Sequence, residues 1–341
     1  MAALESRAAL TRLRIPGLVA AALIATCALL PASGSARQAA GSNGAAIFYY
    51  PWYANPARDG RWAHWYVDRD GSPVLSTRYF PSRGLYSSGS AKIVAAQMRE
   101  IAAAGVGTVV VSWWGFDSPE NERLAMVARA AAREGLTIAI HIEPYRTRTP
   151  ASAAADIARL HDEYGVTDFY VYDADRDPAA DWAAALAPLD DVRVFGHTPF
   201  VGRAKASGFD GVYTYDVVTW NGSLFRRLCT QAHVVGLLCA PSVGPGYDAR
   251  LATELGAVRL RNHGLTYDRM WKTVLKANAD VVTITSYNEW QEGTQIEPAR
   301  FVALGGPSYE DAWGKTGVAA QRAYLTATAR WTSRLQRLPT Q

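Results

Sequence analysis

Residues 281–299, VVTITSYNEWQEGTQIEPA, change character within a few positions. Val281, Val282, Thr283, Ile284 and Thr285 are all β-branched, which suits a pleated, close-packed strand. Tyr287, Asn288, Glu289, Trp290, Gln291 and Glu292 then supply two carboxylates, two aromatic rings and two amides, and Gly293 lets the chain turn away. Glu289 and Glu292, three residues apart between aromatic rings at the mouth of a strand, have the make-up of an acid/base pair for a sugar. A solvated polar loop has the same composition, so the elements that would carry such a pair have to decide between the two readings.

From residue 45 onward apolar strand and amphipathic helix alternate eight times. The strands are expected at 45–52, 107–113, 137–143, 168–172, 192–196, 211–215, 234–240 and 281–286, and several are apolar throughout, as strands buried on both faces should be. Helices are expected at 91–104, 120–134, 152–164, 179–187, 202–207, 223–232 and 267–277, with a last long one over 309–335. Eight alternations predict a single-domain α/β (β/α)₈ TIM barrel over residues 46–341. The competing open doubly wound sheet would bind a nucleotide, and no GxGxxG follows the first strand. The stretch 54–90 is long for a strand-to-helix connection and is expected to be a functional loop over the barrel mouth.

A barrel puts its active site at the C-terminal strand ends. Those ends carry Tyr50 and Trp52, then His64; Ser112, Trp113 and Trp114; His141, Glu143 and Tyr145; Tyr172; His197; Tyr215 and Asp216; Tyr247 in a Gly-Pro-Gly turn; and Glu289 and Glu292. Aromatics and carboxylates at nearly every strand end point to carbohydrate chemistry rather than to packing alone. His141 and Glu143 share one side of their strand, but two ligands do not make a metal site, and no third is obvious. Glu297, before Pro298, can equally pair with an arginine or touch a ligand.

Composition narrows the class further. The 341 residues are 49% hydrophobic and include 11 Trp and 17 Tyr, more rings than a core needs. The net charge of +4 has no basic run of the kind nucleic-acid binding requires. Arg7, Arg12 and Arg14 precede an apolar run over 15–30 and small residues over 32–36, the order of a secretory signal. Residues 1–36 therefore read as a signal peptide, 37–45 as a linker, and the mature chain as secreted, with no membrane contact after cleavage. An uncleaved anchor is the alternative. Cys229 and Cys239, beyond the signal, could pair in an oxidising compartment or stay as two buried thiols.

The segments YYPWYANPARDGRWAHW (49–65), VVVSWWG (109–115), HIEPY (141–145), GPGYD (244–248) and YNEWQEGTQIEPA (287–299) resemble the landmarks of glycoside hydrolase family 99, in order, one per expected strand end. Gln291 stands where the family often has His. The family comprises endo-α-1,2-mannosidases and endo-α-1,2-mannanases. The resemblance implies a barrel without cofactor or catalytic metal, acting as a monomer inside α-mannan or another mannose-containing glycan with retention. It implies that Glu289 takes the proton of the sugar's own 2-hydroxyl, which attacks C1 to form a 1,2-anhydro sugar. Glu292 would be the general acid and then the general base. Tyr50, Glu143 and Tyr247 are implied around the reacting sugar, and Trp114 in the subsite beyond it; Trp52, His141, Tyr145, His197, Asn288 and Trp290 complete the expected lining. A binding protein that kept the cleft but lost turnover would resemble this chain too, but both glutamates are present. An envelope-polysaccharide assembly protein would not carry the export signal.

Overall fold

The computed structural model describes residues 44–253, 256–301 and 308–339; the expected signal peptide lies outside them. All eight expected strands form, in order and parallel: β1 (Gly44–Tyr49), β2 (Thr108–Trp113), β3 (Thr137–Ile142), β4 (Asp168–Val171), β5 (Arg193–His197), β6 (Gly211–Tyr213), β7 (Leu238–Ala240, resuming at Ser242–Val243) and β8 (Val281–Ile284). β1 begins within the stretch expected to be linker. Pro241 interrupts β7 because proline has no N–H for the ladder. The first half of β7 pairs with β6 and the second half with β8. β8 in turn pairs with β1, so the sheet closes into a (β/α)₈ barrel.

The outer helices are α1 (Ala91–Ala103), α2 (Pro119–Arg133), α3 (Pro150–Tyr164), α4 (Ala179–Leu186), α5 (Val201–Ala206), α6 (Phe225–Val234), α7 (Leu265–Val274) and α8 (Ala323–Leu335). Their ends follow local chemistry. α2 starts with Ser118 capping Asn121 and proline in its first turn. α3 starts with a reciprocal cap between Thr149 and Ser152 and stops at left-handed Gly165.

Two sequence expectations are corrected. Val234 and Val235 close α6 rather than opening β7, because Gly236 at φ +72° ends the helix and re-aims the chain. The expected helix over 309–335 is broken: Asp311 and Trp313 are left-handed, Gly314 and Gly317 have positive φ, and a short helix (Gly317–Gln321) precedes α8.

The barrel interior is filled by rings rather than by branched aliphatics. Phe48 packs 4.7 Å from His141, 5.8 Å from Tyr170 and 5.9 Å from Tyr213, and Tyr170 stacks on Phe195 at 4.8 Å. Several strand-end aromatics, Trp113 and Tyr170 among them, are therefore core residues. Cys229 of α6 and Cys239 of β7 form a disulfide. Phe48→Ala should destabilise the fold by about 3–5 kcal/mol, the usual cost of emptying a buried phenylalanine site. Denaturant unfolding should show a lowered midpoint with an unchanged slope.

Candidate active site

Glu289 and Glu292 occupy the turn after β8, and the turn is held from three sides. Tyr53 inserts its hydroxyl into it, donating to the Asn288 carbonyl and accepting the Trp290 N–H, both at 3.0 Å. Asn288 clamps the backbone of Tyr50, accepting its N–H at 2.8 Å and donating to its carbonyl at 2.9 Å. This joins the ends of β1 and β8. Ser286 Oγ accepts the Glu289 N–H at 2.8 Å.

Glu297 lies beneath, fully buried. It accepts from Arg83 at 2.9 Å, Tyr86 at 2.7 Å, Gln97 at 2.9 Å and the Trp290 indole at 2.9 Å. Of its two sequence readings the arginine pair is the one formed. Arg261 completes the support, donating to the carbonyls of Gly293 at 2.9 Å and Gln295 at 2.7 Å with the Tyr79, Tyr309 and Tyr324 rings around its guanidinium. Gly244 and Gly246 are glycines for close approach: a Cβ would sit 2.7 Å from the Thr285 carbonyl at the first and 2.7 Å from the Arg259 carbonyl at the second.

Around the two carboxyls stand other polar groups. Glu289 is buried, and one of its oxygens accepts the Gln291 N–H at 3.0 Å. Tyr215 donates to Glu292 at 3.4 Å, and its hydroxyl also meets that of Tyr50. Glu143 accepts from Ser112 at 2.7 Å, and Ser112 in turn accepts the Trp114 indole N–H at 3.2 Å. Nδ1 of His141 lies 2.9 Å from Glu143 without the alignment of a hydrogen bond, while Nε2 engages the Tyr213 hydroxyl at 2.8 Å. Among the described residues no three metal-ligating side chains come together.

Two cavities form arms beside the site. One, of about 350 Å³, is lined by Glu292, Asp216, Tyr172, Tyr215 and Tyr247. The other, of about 620 Å³, is lined by Trp52, His64, Trp114, Arg61, Glu120 and Arg123. His64 stacks on Trp52 at 4.3 Å and reaches Gln291 at 3.5 Å, so the second arm abuts the turn that carries Glu289 and Glu292. The loop 54–90 supplies much of this wall, with Trp65 sealed beneath it against Tyr53.

Burial is the largest influence on both glutamates. It pushes Glu289 well above the usual carboxylate range, with the charge of Glu292 adding to the rise. It pushes Glu292 up to about 7, assisted by Asp216 and Glu143. Two carboxyls this strongly interacting titrate as a pair, so one proton is retained near neutrality. Burial also lowers the imidazoles of His64 and His197 to about 4, leaving both neutral at neutral pH.

The structure thus gathers Tyr50, Glu143, Tyr247, Glu289 and Glu292 at one centre and sets Trp52 and Trp114 along the second arm. It redirects others from the expected lining. Asn288 and Trp290 are fully buried and spend their polar atoms on Tyr50 and Glu297. Tyr145 turns its hydroxyl to Asp156 of α3 and packs on Trp113. His141 is buried among the interior rings, and His197 stacks on Tyr172 at 4.7 Å behind the first arm. Arg61, Glu120 and Arg123 went unnoticed in the sequence, because they sit in a loop and a helix start with no spacing signal. Tyr172, Tyr215 and Asp216 were visible only as strand ends.

Known proteins match this arrangement. The model of Glycosyl hydrolase family 99 matches residues 42–337. A glycoprotein endo-alpha-1,2-mannosidase from Xenopus laevis is 29% identical over 351 residues, covering 84% of this chain and 76% of its own. A glycoprotein endo-alpha-1,2-mannosidase-like protein from Danio rerio is 30% identical, covering 74% and 70%. The structure of the GH99 endo-alpha-mannosidase from Bacteroides thetaiotaomicron superposes with a TM-score of 0.78 at 27% identity, covering 87% of this chain and 98% of that one. With a matching family model over nearly the whole described barrel and two buried, interacting carboxyls at its mouth, the chain is a glycoside hydrolase and belongs to glycosyl hydrolase family 99.

Proposed function

We propose that the chain is an endo-acting α-mannosidase that cleaves internal α-mannosidic bonds with retention, working as an exported monomer on α-mannan or a related glycan. The observation that carries this reading is the turn bearing Glu289 and Glu292, which lines one cavity through Glu292 and meets a second through the contact of Gln291 with His64, leaving room for sugar residues on both sides of the reacting centre. The family relatives named above support the linkage class. The Cys229–Cys239 disulfide supports export, since such bonds persist in oxidising compartments.

In an α-mannoside the leaving oxygen and the 2-hydroxyl are both axial, on opposite faces. Internal backside displacement is then aligned without rearrangement of the ring. Glu289 takes the 2-hydroxyl proton as that oxygen attacks C1, and Glu292 gives its proton to the departing oxygen. Water then opens the anhydro sugar at C1 with Glu292 as base while Glu289 returns its proton to the 2-oxygen as the C1–O2 bond breaks, and two inversions leave the α configuration. Burial holds both carboxyls high, and the substrate sorts the shared proton. A hydroxyl donating to Glu289 favours its charged form, and a leaving oxygen accepting from Glu292 favours its neutral one. The Glu289 oxygen that already accepts the Gln291 N–H adds to the same bias.

Three outcomes test this reading. Glu289→Gln and Glu292→Gln should each lower turnover by roughly 10²–10⁴-fold with binding largely kept. Glu292→Gln should recover with an activated aryl or fluoride leaving group, and Glu289→Gln should not. A cleaved 2-deoxy substrate, or a first product of β configuration by NMR, rules the anhydro route out. In the second arm Trp114 is 36% exposed with its indole N–H committed to Ser112, which leaves a flat apolar face for a sugar. Wild type should therefore prefer mannose over glucose in the subsite next to the cleaved sugar. Trp114→Tyr should narrow that preference by no more than about 1–3 kcal/mol, read as the ratio of kcat/KM for the two substrates. Material recovered from the medium should begin near Arg37 on N-terminal sequencing; a start at Met1 refutes cleavage.

A further inference from the structure

The wall of the first cleft arm contains a carboxylate that the reaction just described does not use. Asp216 follows Tyr215 at the end of β6 and lines the same 350 Å³ cavity as Glu292. Its two oxygens are fixed by its own turn: Oδ1 accepts the N–H of Val218 at 2.8 Å and of Thr219 at 3.3 Å, and Oδ2 accepts the Thr219 hydroxyl at 2.6 Å. These donors are neutral, and no ion pair forms between Asp216 and any described Arg, Lys or His. Aspartates capping a turn are ordinary. One that caps a turn inside a catalytic cavity, without a cation, brings its charge to bear on whatever shares the cavity.

What shares it is Glu292. The titratable groups facing Glu292 are Glu289 on its own turn, Tyr50 after β1, Glu143 with His141 behind it on β3, Tyr172 after β4, Tyr215 and Asp216 after β6, and Tyr247 with Asp248 in the turn after β7. Asp248 is answered by Arg78 and Arg250, and Glu143 is hydrogen-bonded by Ser112. The tyrosines are neutral, because burial raises them further above their ordinary value. Of the two remaining carboxylates, Glu143 stands on β3 beside Ser112 and His141, and Asp216 is the one that lines the cavity together with Glu292; Arg259 donates to the Val217 and Val218 carbonyls of the Asp216 turn and forms no ion pair with Asp216.

We infer that Asp216 is a positioning residue of electrostatic kind, a fixed negative charge that keeps the proton on Glu292 until the leaving oxygen takes it. Glu289 cannot serve that purpose throughout the cycle, because it becomes neutral as it accepts the 2-hydroxyl proton. When Glu292 later acts as base, the charge of Asp216 makes it the stronger one, so the same residue assists both steps. The direction agrees with Asp216 standing first among the charges that raise Glu292. The inference rests on the acid role given to Glu292 above.

The test is the pH profile of kcat/KM on an unactivated α-mannan oligosaccharide, measured with the mature chain. Wild type should lose activity as pH rises through the Glu292 titration, and Glu292→Gln should lack that basic limb; if it does not, the acid assignment itself is wrong. Asp216→Asn keeps the turn-capping oxygen and removes the charge. Its basic limb should move to lower pH by about one unit. With an activated aryl mannoside, which needs no proton, the shift should have little effect on rate. Asp216→Ser, which also keeps a capping oxygen, is a second route to the same measurement. Thr219→Val keeps the charge and removes one hydrogen bond, so its limb should stay in place even if its rate falls. An unmoved limb in a folded Asp216 variant overturns the inference. A raised KM with an unmoved limb does so as well, and identifies Asp216 as a contact to the leaving sugar instead.

Discussion

The buried carboxylate of Glu297 is the contact on which the placement of Glu289 and Glu292 depends. An isolated charge at this depth costs several kcal/mol, and four donors converge to offset it. They come from three places: Arg83 and Tyr86 from the long loop after β1, Gln97 from α1, and Trp290 from the turn that carries Glu289 and Glu292. Arg83 also reaches Glu100 at 2.7 Å, and Tyr287 donates to the same glutamate. A single buried charge therefore draws loop, helix and turn to one point. Glu289 and Glu292 stand on the segment that is drawn in.

Above that hub the site is built almost wholly from acceptors and neutral rings. Glu143, Asp216, Glu289 and Glu292 gather with the hydroxyls of Tyr50, Tyr172, Tyr215 and Tyr247. The arginines nearby are spent elsewhere: Arg261 on carbonyls beneath the turn, Arg123 on the Pro51 carbonyl. Such a site favours protons and disfavours extra negative charge. That suits the transfer of a proton to an alkoxide-like leaving group and back from water, and it suits a substrate that is itself uncharged.

The barrel was legible because its cause is local and repeated. Most strands are rich in β-branched and aromatic residues, and helices carry their stops, such as Gly105 after α1 and Gly165 after α3. Glu289 and Glu292 were legible as candidates because carboxylates at a strand end are costly without a purpose. The orientation of their neighbours was not. Asn288 and Trp290 alternate with Glu289 along the same turn, and spacing alone cannot say which side chains face the cleft. That is set by Tyr50, Tyr53 and Glu297, which arrive from far along the chain. Tyr145 was misplaced for the same reason, since its partner lies on α3. The broken last helix was the reverse case: Gly314 and Gly317 announced the break, and the apolar periodicity around them hid it.

The long loop after β1 does more than line the second arm. Its outer residues, His64 and Trp52 at its root, face the cleft, while Trp65, Arg83 and Tyr86 reach under the catalytic turn. Recognition and support are thus written into one continuous segment. In many barrels the mouth loops can be exchanged independently of the chemistry they surround. Here an exchange of the whole segment would carry away half the donors that hold Glu297. Within the loop the outer face, at positions such as Arg61 and Trp62, can change without touching Glu297, while the inner face is tied through that carboxylate to the turn bearing Glu289 and Glu292.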